Sequence, residues 1–165
     1  YEFNLCRLDG AVKMFVNKFS PQSIGSHISL HIEQIEDSVC TDSKWLGFII
    51  EQLISNAVKY SKDGGSVRIY TLHGKGDIKK NSKDDSLQLV IEDTGIGINE
   101  EDIPRIMERG FTGYNGRLDR KSSGIGLYLC RKAADRLGFV ITFDASYKNG
   151  TRVVIDMTQR YTKHE

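Results

Sequence analysis

The spacing of apolar positions along the chain predicts alternating strands and helices. A helix is predicted over 44–60, behind the capping residues Asp42 and Ser43, because its apolar side chains recur at helical intervals. A second clear helix is predicted from Ile125 to Leu137, closed by Gly138. Shorter helices are predicted over 10–19, ended by Ser20-Pro21, and over 100–107. Strands are predicted over 1–5, 27–33, 67–72, 87–92, 140–145 and 152–157.

The order of these elements predicts the fold class. Helices are interspersed among strands that are mostly joined as hairpins, and the polar stretch 73–86 is expected to form an exposed hairpin tip. This order favours an α+β fold, a two-layer α/β sandwich whose mixed, mostly antiparallel sheet has helices on one face. We expect one domain over residues 1–160, followed by a short tail over 161–165.

Composition narrows the range of partners. The chain has 165 residues and a formal net charge of +1, so there is no electrostatic reason to expect nucleic acid or an anionic membrane surface as a partner. No apolar run approaches the roughly 18 residues of a membrane helix. Three scattered cysteines favour free thiols over a disulfide framework. Because the chain begins at Tyr1 without a methionine, we expect it to be a piece of a longer protein.

The long predicted helix carries the first candidate site. Intervals of three and four residues place Gln52, Asn56 and the pair Lys59-Tyr60 on one face of this helix. An amide oxygen and an ammonium group one turn apart suit a magnesium-phosphate group. The alternative is an ordinary solvated helix face.

Asp93-Thr94-Gly95-Ile96-Gly97 directly follows an apolar strand and forms the second candidate site. An aspartate at the end of a strand can accept a hydrogen bond from an adenine amino group, and glycines let the backbone approach a flat ring closely. The alternative is a plain turn, in which aspartate and glycine are common.

Residues 109–124 form a basic, glycine-dotted stretch that leads into a helix through Ser-Ser-Gly-Ile-Gly. The free N–H groups at such a helix start bind phosphate, and we expect the stretch before it to be a mobile lid. The alternative is an exposed loop with an ordinary helix start. A fourth piece, Asn149-Gly150-Thr151, is by itself only a hairpin turn.

Taken in this order, NAVKYS, DTGIGI, GFTGYNGR, SSGIGLYL and NGT resemble the conserved boxes of the GHKL ATP-binding fold, also called the Bergerat fold. Sensor histidine kinases, gyrase, the MutL mismatch-repair protein and a heat-shock chaperone share this fold. The NAVKY ending of the first stretch and the stretch GFTGYNGR, which resembles the phenylalanine box, are similar to those of histidine kinases. KWLGFIIEQLISNAVKYS and GRLDRKSSGIGLYLCRK are similar to the bacterial intramembrane-sensing kinases that respond to peptide antibiotics.

The resemblance implies a role for each matching residue. Asn56 is expected to be a magnesium ligand and Lys59 a phosphate contact, and these two are the expected catalytic residues. The remaining nucleotide contacts implied are the adenine-binding Asp93, the base-pocket residues Gly95 and Gly97, the lid from Phe111 to Lys121, the phosphate-binding Gly124, Gly126 and Leu127, and Thr151 near the adenine. Tyr60 is expected either at the nucleotide edge or in the core.

The resemblance also implies an activity. ATP and Mg²⁺ are expected as ligands, and the γ-phosphoryl group is expected to pass to a histidine on a separate dimerisation domain. A response regulator is the expected further partner, and the location is the cytoplasmic part of a cell-membrane protein, with no direct membrane contact by this chain. Gln52 stands where hydrolytic relatives carry glutamate, so rapid ATP hydrolysis is not expected. The alternatives are a regulatory ATP-binding module and an ATPase of the gyrase or mismatch-repair type.

Overall fold

A computed structural model describes residues 1–74, 86–111 and 125–158 of the chain. The elements in chain order are β1 (Asn4–Arg7), α1 (Leu8–Gly25), β2 (Ser29–Ile32), β3 (Ser38–Thr41), α2 (Ser43–Tyr60), β4 (Ser66–His73), β5 (Leu87–Asp93), a 3₁₀ helix (Glu100–Arg105), α3 (Ile125–Leu137), β6 (Val140–Phe143) and β7 (Thr151–Asp156).

The described strands form a mixed, mostly antiparallel main sheet, as the sequence predicts. Its strand order is β2-β4-β5-β7-β6, in which only the β2–β4 pair is parallel. β1 and β3 pair antiparallel in a separate two-stranded sheet. The predicted strand at 1–5 therefore lies later, at 4–7, because it pairs with β3, a strand that the sequence pattern did not reveal.

The three described α-helices cover one face of the main sheet. Along β5, Leu87, Leu89 and Ile91 alternate into the same apolar core as the buried side chains of α1, α2 and α3. Asp93 continues this alternation, so its side chain also lies on the helix-covered side. The other face carries charged residues such as Arg68 and Glu92. The two-layer sandwich is confirmed.

The prediction that Ser20-Pro21 ends the first helix is wrong, because α1 continues through Pro21 to Gly25. The helix ends where the Ile28 N–H donates to the Ser23 carbonyl at 2.8 Å and the His27 N–H donates to that of Ile24 at 3.1 Å. His27 adopts a φ of 56°, the left-handed conformation this ending requires. These terminal bonds, with the burial of Ser23, outweigh the one bond that proline cannot make.

α2 matches its prediction closely. Asp42 caps it, with Oδ1 accepting from the backbone N–H groups of Lys44 and Trp45 at 3.0 and 3.1 Å. The short helix expected over 100–107 is a 3₁₀ helix ending at Arg105. β4 and β5 do form a hairpin, but most of its predicted tip and the predicted 161–165 tail lie outside the described residues. Among the described helices, none combines the length and apolar character needed to cross a membrane.

Candidate functional site

Asp93 occupies the end of β5 at the centre of the main sheet. It pairs with Val67 of β4 on one side and with Thr151 of β7 on the other. Its side chain faces the helices and is only 5% exposed. The alternation of β5 thus places a carboxylate where an apolar side chain would continue the core.

The carboxylate of Asp93 is arranged to accept a further hydrogen bond. Its Oδ1 accepts from the backbone N–H groups of Gly95 at 2.8 Å and Thr151 at 3.2 Å. In the part of the chain that the structure describes, both hydrogen bonds to this group end at Oδ1, which leaves Oδ2 for a ligand donor. Burial raises the pKa of Asp93 to about 6, and the two N–H donors oppose that rise.

Two glycines bring backbone segments together beside Asp93. A Cβ on Gly95 would overlap the carbonyl oxygen of Tyr60, the last residue of α2. That same carbonyl accepts a hydrogen bond from the Ile96 N–H at 3.2 Å. Gly97 has a φ of 75°, and a Cβ there would lie 3.2 Å from the carbonyl oxygen of Gly150. The turn after β5 is therefore held between the end of α2 and the β6–β7 loop.

The predicted polar face of α2 borders the start of α3. Gln52 and Asn56 are half-buried and Lys59 is exposed, one turn apart along a continuous helix. A Cβ on Gly126 would lie 2.5 Å from the Gln52 Oε1 atom, so the first turn of α3 packs directly on Gln52. The side chain of Tyr60 is half-buried and its ring lies 5.2 Å from the Lys59 Nζ.

Asn56 suits a magnesium ion that keeps most of its ligands from water and phosphate. The described residues contain no cluster of three or more histidine, cysteine, aspartate or glutamate side chains that could form a protein-only metal cage. Mg²⁺ retains waters readily and is often held by one or two protein oxygens together with substrate phosphates. A single amide oxygen on the α2 face fits that chemistry.

The structure brings together Asp93, Gly95, Thr151 and the end of α2. Leu127 packs against the core with part of its side chain. The Phe111 ring lies 4.6 Å from the Arg105 guanidinium, and the Phe111 N–H donates to the Glu108 carbonyl.

Gly124 and the predicted lid residues beyond Phe111 lie outside the described part of the chain.

Two residues beside Asp93 were not predicted as site residues. A Cβ on Gly150 would overlap the Asp93 carbonyl oxygen, and the Tyr147 hydroxyl donates to that same oxygen at 3.2 Å. Gly150 belongs to the Asn-Gly-Thr motif, so its neighbour Thr151 pointed toward it. Tyr147 has no sequence signal, because only the folded β6–β7 loop brings it to the site.

Known proteins are similar to this chain over most of its length. A profile of the family described as histidine kinase-, DNA gyrase B-, and HSP90-like ATPase matches residues 41–160. The sensor protein BceS of Bacillus subtilis (strain 168) is 38% identical over 130 residues, covering 79% of this chain and 35% of BceS. The sensor protein kinase GraS of Staphylococcus aureus (strain JH1) is 38% identical over 120 residues, covering 73% of this chain and 32% of GraS. The chain thus spans about a third of the length of these relatives.

The fold is also that of a solved histidine kinase domain. The nucleotide-free catalytic domain of histidine kinase ThkA superposes with a TM-score of 0.76 at 18% identity, covering 98% of this chain and all of that one. The profile covers well over half of the chain, and both relatives exceed 30% identity over more than two thirds of it. The chain therefore belongs to the family of histidine kinase-, DNA gyrase B- and HSP90-like ATPases.

Proposed function

We propose that this domain binds ATP with Mg²⁺ and presents its γ-phosphoryl group to a histidine on a dimerisation domain outside this chain. The observation that carries the proposal is the buried Asp93 carboxylate at the end of β5, whose Oδ1 is held by two N–H groups while Oδ2 faces no described donor.

Base recognition follows from that carboxylate. Asp93 accepts a hydrogen bond from the adenine amino group, and Thr151 lies beside it because its own N–H holds Oδ1. Gly95 and Gly97 shape the base pocket indirectly, because the absence of side chains lets the turn after β5 pack against the Tyr60 and Gly150 carbonyl groups beside Asp93. Guanine presents a carbonyl oxygen at the same position, which the carboxylate would repel.

Phosphate recognition falls to the α2 face and the start of α3. Lys59 carries the positive charge for the triphosphate, and the first described turn of α3, at Gly126 and Leu127, would turn its backbone N–H groups to the phosphates. Asn56 would hold Mg²⁺ with its amide oxygen, and the bound ion supplies neutralisation of charge on the phosphates. Gly124 and the lid from Phe111 to Lys121 complete this proposal from sequence.

Phosphoryl transfer requires mainly positioning and charge neutralisation from this domain. A nitrogen of the acceptor imidazole attacks the γ-phosphorus, the bond to the β,γ-bridging oxygen breaks, and ADP leaves with that electron pair. None of the four histidines of this chain lies in a phosphoacceptor sequence context. The acceptor and any group that orients it therefore belong to another part of the full-length protein.

The wider setting follows the relatives named as sensor proteins. We propose that the domain lies on the cytoplasmic side of a cell-membrane protein and acts upstream of a response regulator. A GHKL ATPase is disfavoured because Gln52 occupies the α2 face without an acidic group that could activate water.

Calorimetric titration of Mg²⁺-ATP tests the nucleotide site. Wild type is expected to bind, and Asp93→Ala is expected to bind roughly tenfold to a hundredfold more weakly, since hydrogen bonds to charged groups contribute about 1.5–3 kcal/mol. Asn56→Ala should lose only the part of the affinity that depends on Mg²⁺. Asp63→Ala is the matched control, because that aspartate is solvent-exposed and pairs with His27. Equal binding by all variants would contradict the site.

Transfer in trans tests the kinase activity. The domain alone, incubated with γ-labelled ATP, should acquire no acid-labile phosphate. Addition of the dimerisation domain of the full-length protein should place label on that domain. Tight ATP binding without transfer would instead support a regulatory ATP-binding module.

A further inference from the structure

The loop between β6 and β7, residues 144–150, lies against the turn that follows Asp93. The Tyr147 hydroxyl donates to the Asp93 backbone carbonyl at 3.2 Å. The next residue, Lys148, pairs with Glu100 at the start of the 3₁₀ helix at 2.5 Å. One loop therefore contacts the end of β5 and the segment beyond the glycines of the site.

The Tyr147 ring is held in place by its own surroundings. The Arg152 guanidinium lies 4.3 Å from the ring centroid, in cation–π contact. Arg152 is itself fixed by Glu92 at 2.7 Å and by Asp144 at 3.1 Å. Asp144 also accepts from the Ser146 N–H at 2.9 Å, which closes the loop on itself. Because these contacts fix the ring, the hydroxyl has a defined direction.

Burial raises the pKa of Tyr147, so its hydroxyl keeps its proton at neutral pH and serves as a donor. The carboxylate of Asp93 also accepts a hydrogen bond from the Thr151 N–H. Thr151 lies four residues after Tyr147 in the chain. The β6–β7 loop and the start of β7 therefore hold both the peptide and the side chain of Asp93.

We propose that Tyr147 is a positioning residue for base recognition, whose hydroxyl holds the Asp93 peptide so that the Asp93 carboxylate meets the 6-amino group of adenine. This inference rests on the proposed function, because it assigns Tyr147 a role in the same nucleotide site. Tyr147 acts through Asp93 and does not itself contact the nucleotide in this proposal.

The test compares two nucleotides that differ only at the base. Purine riboside triphosphate has the phosphates of ATP but lacks the 6-amino group, so the ratio of its Kd to that of ATP measures the contact with Asp93. Tyr147→Phe keeps the ring and its contact with Arg152 but removes the hydroxyl. We expect a wild-type ratio on the order of ten or more and a decrease of at least about threefold in Tyr147→Phe.

Tyr70→Phe is the matched control. Its hydroxyl donates to Glu92 at 2.9 Å on the face of the sheet opposite the Asp93 side chain. This variant should keep the wild-type ratio even where its thermal unfolding midpoint falls. A variant that is partly unfolded still gives a valid ratio, because both nucleotides bind the same folded fraction.

The outcomes separate the two proposals. A wild-type protein that prefers ATP, with an unchanged ratio in Tyr147→Phe, overturns the role of Tyr147 and leaves the nucleotide site intact. An equal fall of the ratio in Tyr147→Phe and Tyr70→Phe also overturns it, because the effect is then general to the sheet. A wild-type protein that binds neither nucleotide overturns the proposed function and this inference with it.

Discussion

The carbonyl oxygen of Tyr60 occupies the space that a side chain on Gly95 would need. The same oxygen accepts the Ile96 N–H at 3.2 Å, so the end of α2 is bonded to the turn that carries the site. This relationship sets the distance between the polar face of α2 and the Asp93 carboxylate. It gives a steric reason for glycine at the first glycine of the Asp-Thr-Gly-Ile-Gly run, because any side chain there would have to displace backbone atoms.

Gly95→Ala is expected to destabilise the fold and weaken ATP binding together. The added Cβ meets backbone atoms, which cannot swing away as a side-chain end can, so we expect a loss of about 1–3 kcal/mol in the free energy of unfolding. Gly10→Ala is the matched control, because that helical glycine has open space around its Cβ position. There the substitution should be neutral or stabilising by up to about 1 kcal/mol. Urea unfolding and ATP titration of both variants measure the difference.

Gly126→Ala is expected to weaken ATP binding without lowering the free energy of unfolding. Its new Cβ would lie 2.5 Å from the Gln52 Oε1 atom, the movable end of a side chain. We expect the free energy of unfolding to stay level or rise, since alanine favours the helix, while ATP affinity falls because Gln52 is displaced at the start of α3.

A double-mutant cycle identifies the source of that loss. With Gln52→Ala in the background, Gly126→Ala no longer displaces the glutamine, so its effect on ATP affinity should shrink, with a coupling of about 0.5–3 kcal/mol. An effect of the same size in both backgrounds would show that the Gln52 contact is irrelevant to binding.

Much of this site could be predicted from the sequence, because the patterns that indicate it lie within short stretches of the chain. The Asp42 cap and apolar period define α2 within one residue, and Asp93 stands directly after a strand of apolar residues. The features that could not be predicted depend on contacts between segments that are distant in the sequence. β3 is only four residues long and exists through its pairing with β1, and Tyr147 reaches a carbonyl 54 positions away. The passage of α1 through Pro21 likewise depends on how the helix end is bonded.

ATP recognition should weaken as pH falls through the pKa of Asp93, about 6. The ionised carboxylate accepts from the adenine amino group, whereas the protonated form is a poorer acceptor. The preference for ATP over purine riboside triphosphate should therefore fall up to about tenfold for each pH unit below 6. The ratio of the two Kd values is measured between pH 7.5 and 5. Because both nucleotides carry the same triphosphate, the titration of the phosphates affects both Kd values alike and does not change the ratio. Asp93→Asn should show a small preference that does not change with pH, and a parallel slope in that variant would refute the assignment.

The free energy of unfolding should depend on pH in the opposite direction to ATP recognition. The folded-state pKa of Asp93 is raised from 3.8 to about 6, so the folded state binds the proton more tightly than the unfolded state. This group therefore costs nothing below pH 3.8 and about 3 kcal/mol above pH 6, with the change falling between these values. Urea unfolding across that window, with Asp93→Asn as reference, should show the wild type losing stability relative to the variant as pH rises. A constant difference would contradict the raised pKa.

Glu92 joins three strands on the open face of the main sheet. Glu92 is only 4% exposed. Its carboxylate accepts hydrogen bonds from Arg68 Nη1 at 2.8 Å, Tyr70 Oη at 2.9 Å and Arg152 Nε at 2.7 Å. These donors come from β4 and β7, on either side of β5. Arg68 also pairs with Glu33, at the exposed edge of the same network.

Glu92→Ala is expected to lower the free energy of unfolding by about 3 kcal/mol, since it leaves two guanidinium groups and a hydroxyl without their buried acceptor. Glu33→Ala removes a carboxylate from the same Arg68 at a site that is about half exposed, so water replaces it and the loss should be at most about 1 kcal/mol. Urea unfolding of the two variants compares a buried with an exposed partner of one arginine. Equal losses would show that burial of Glu92 adds nothing, and that the three strands are held by their backbone ladder alone.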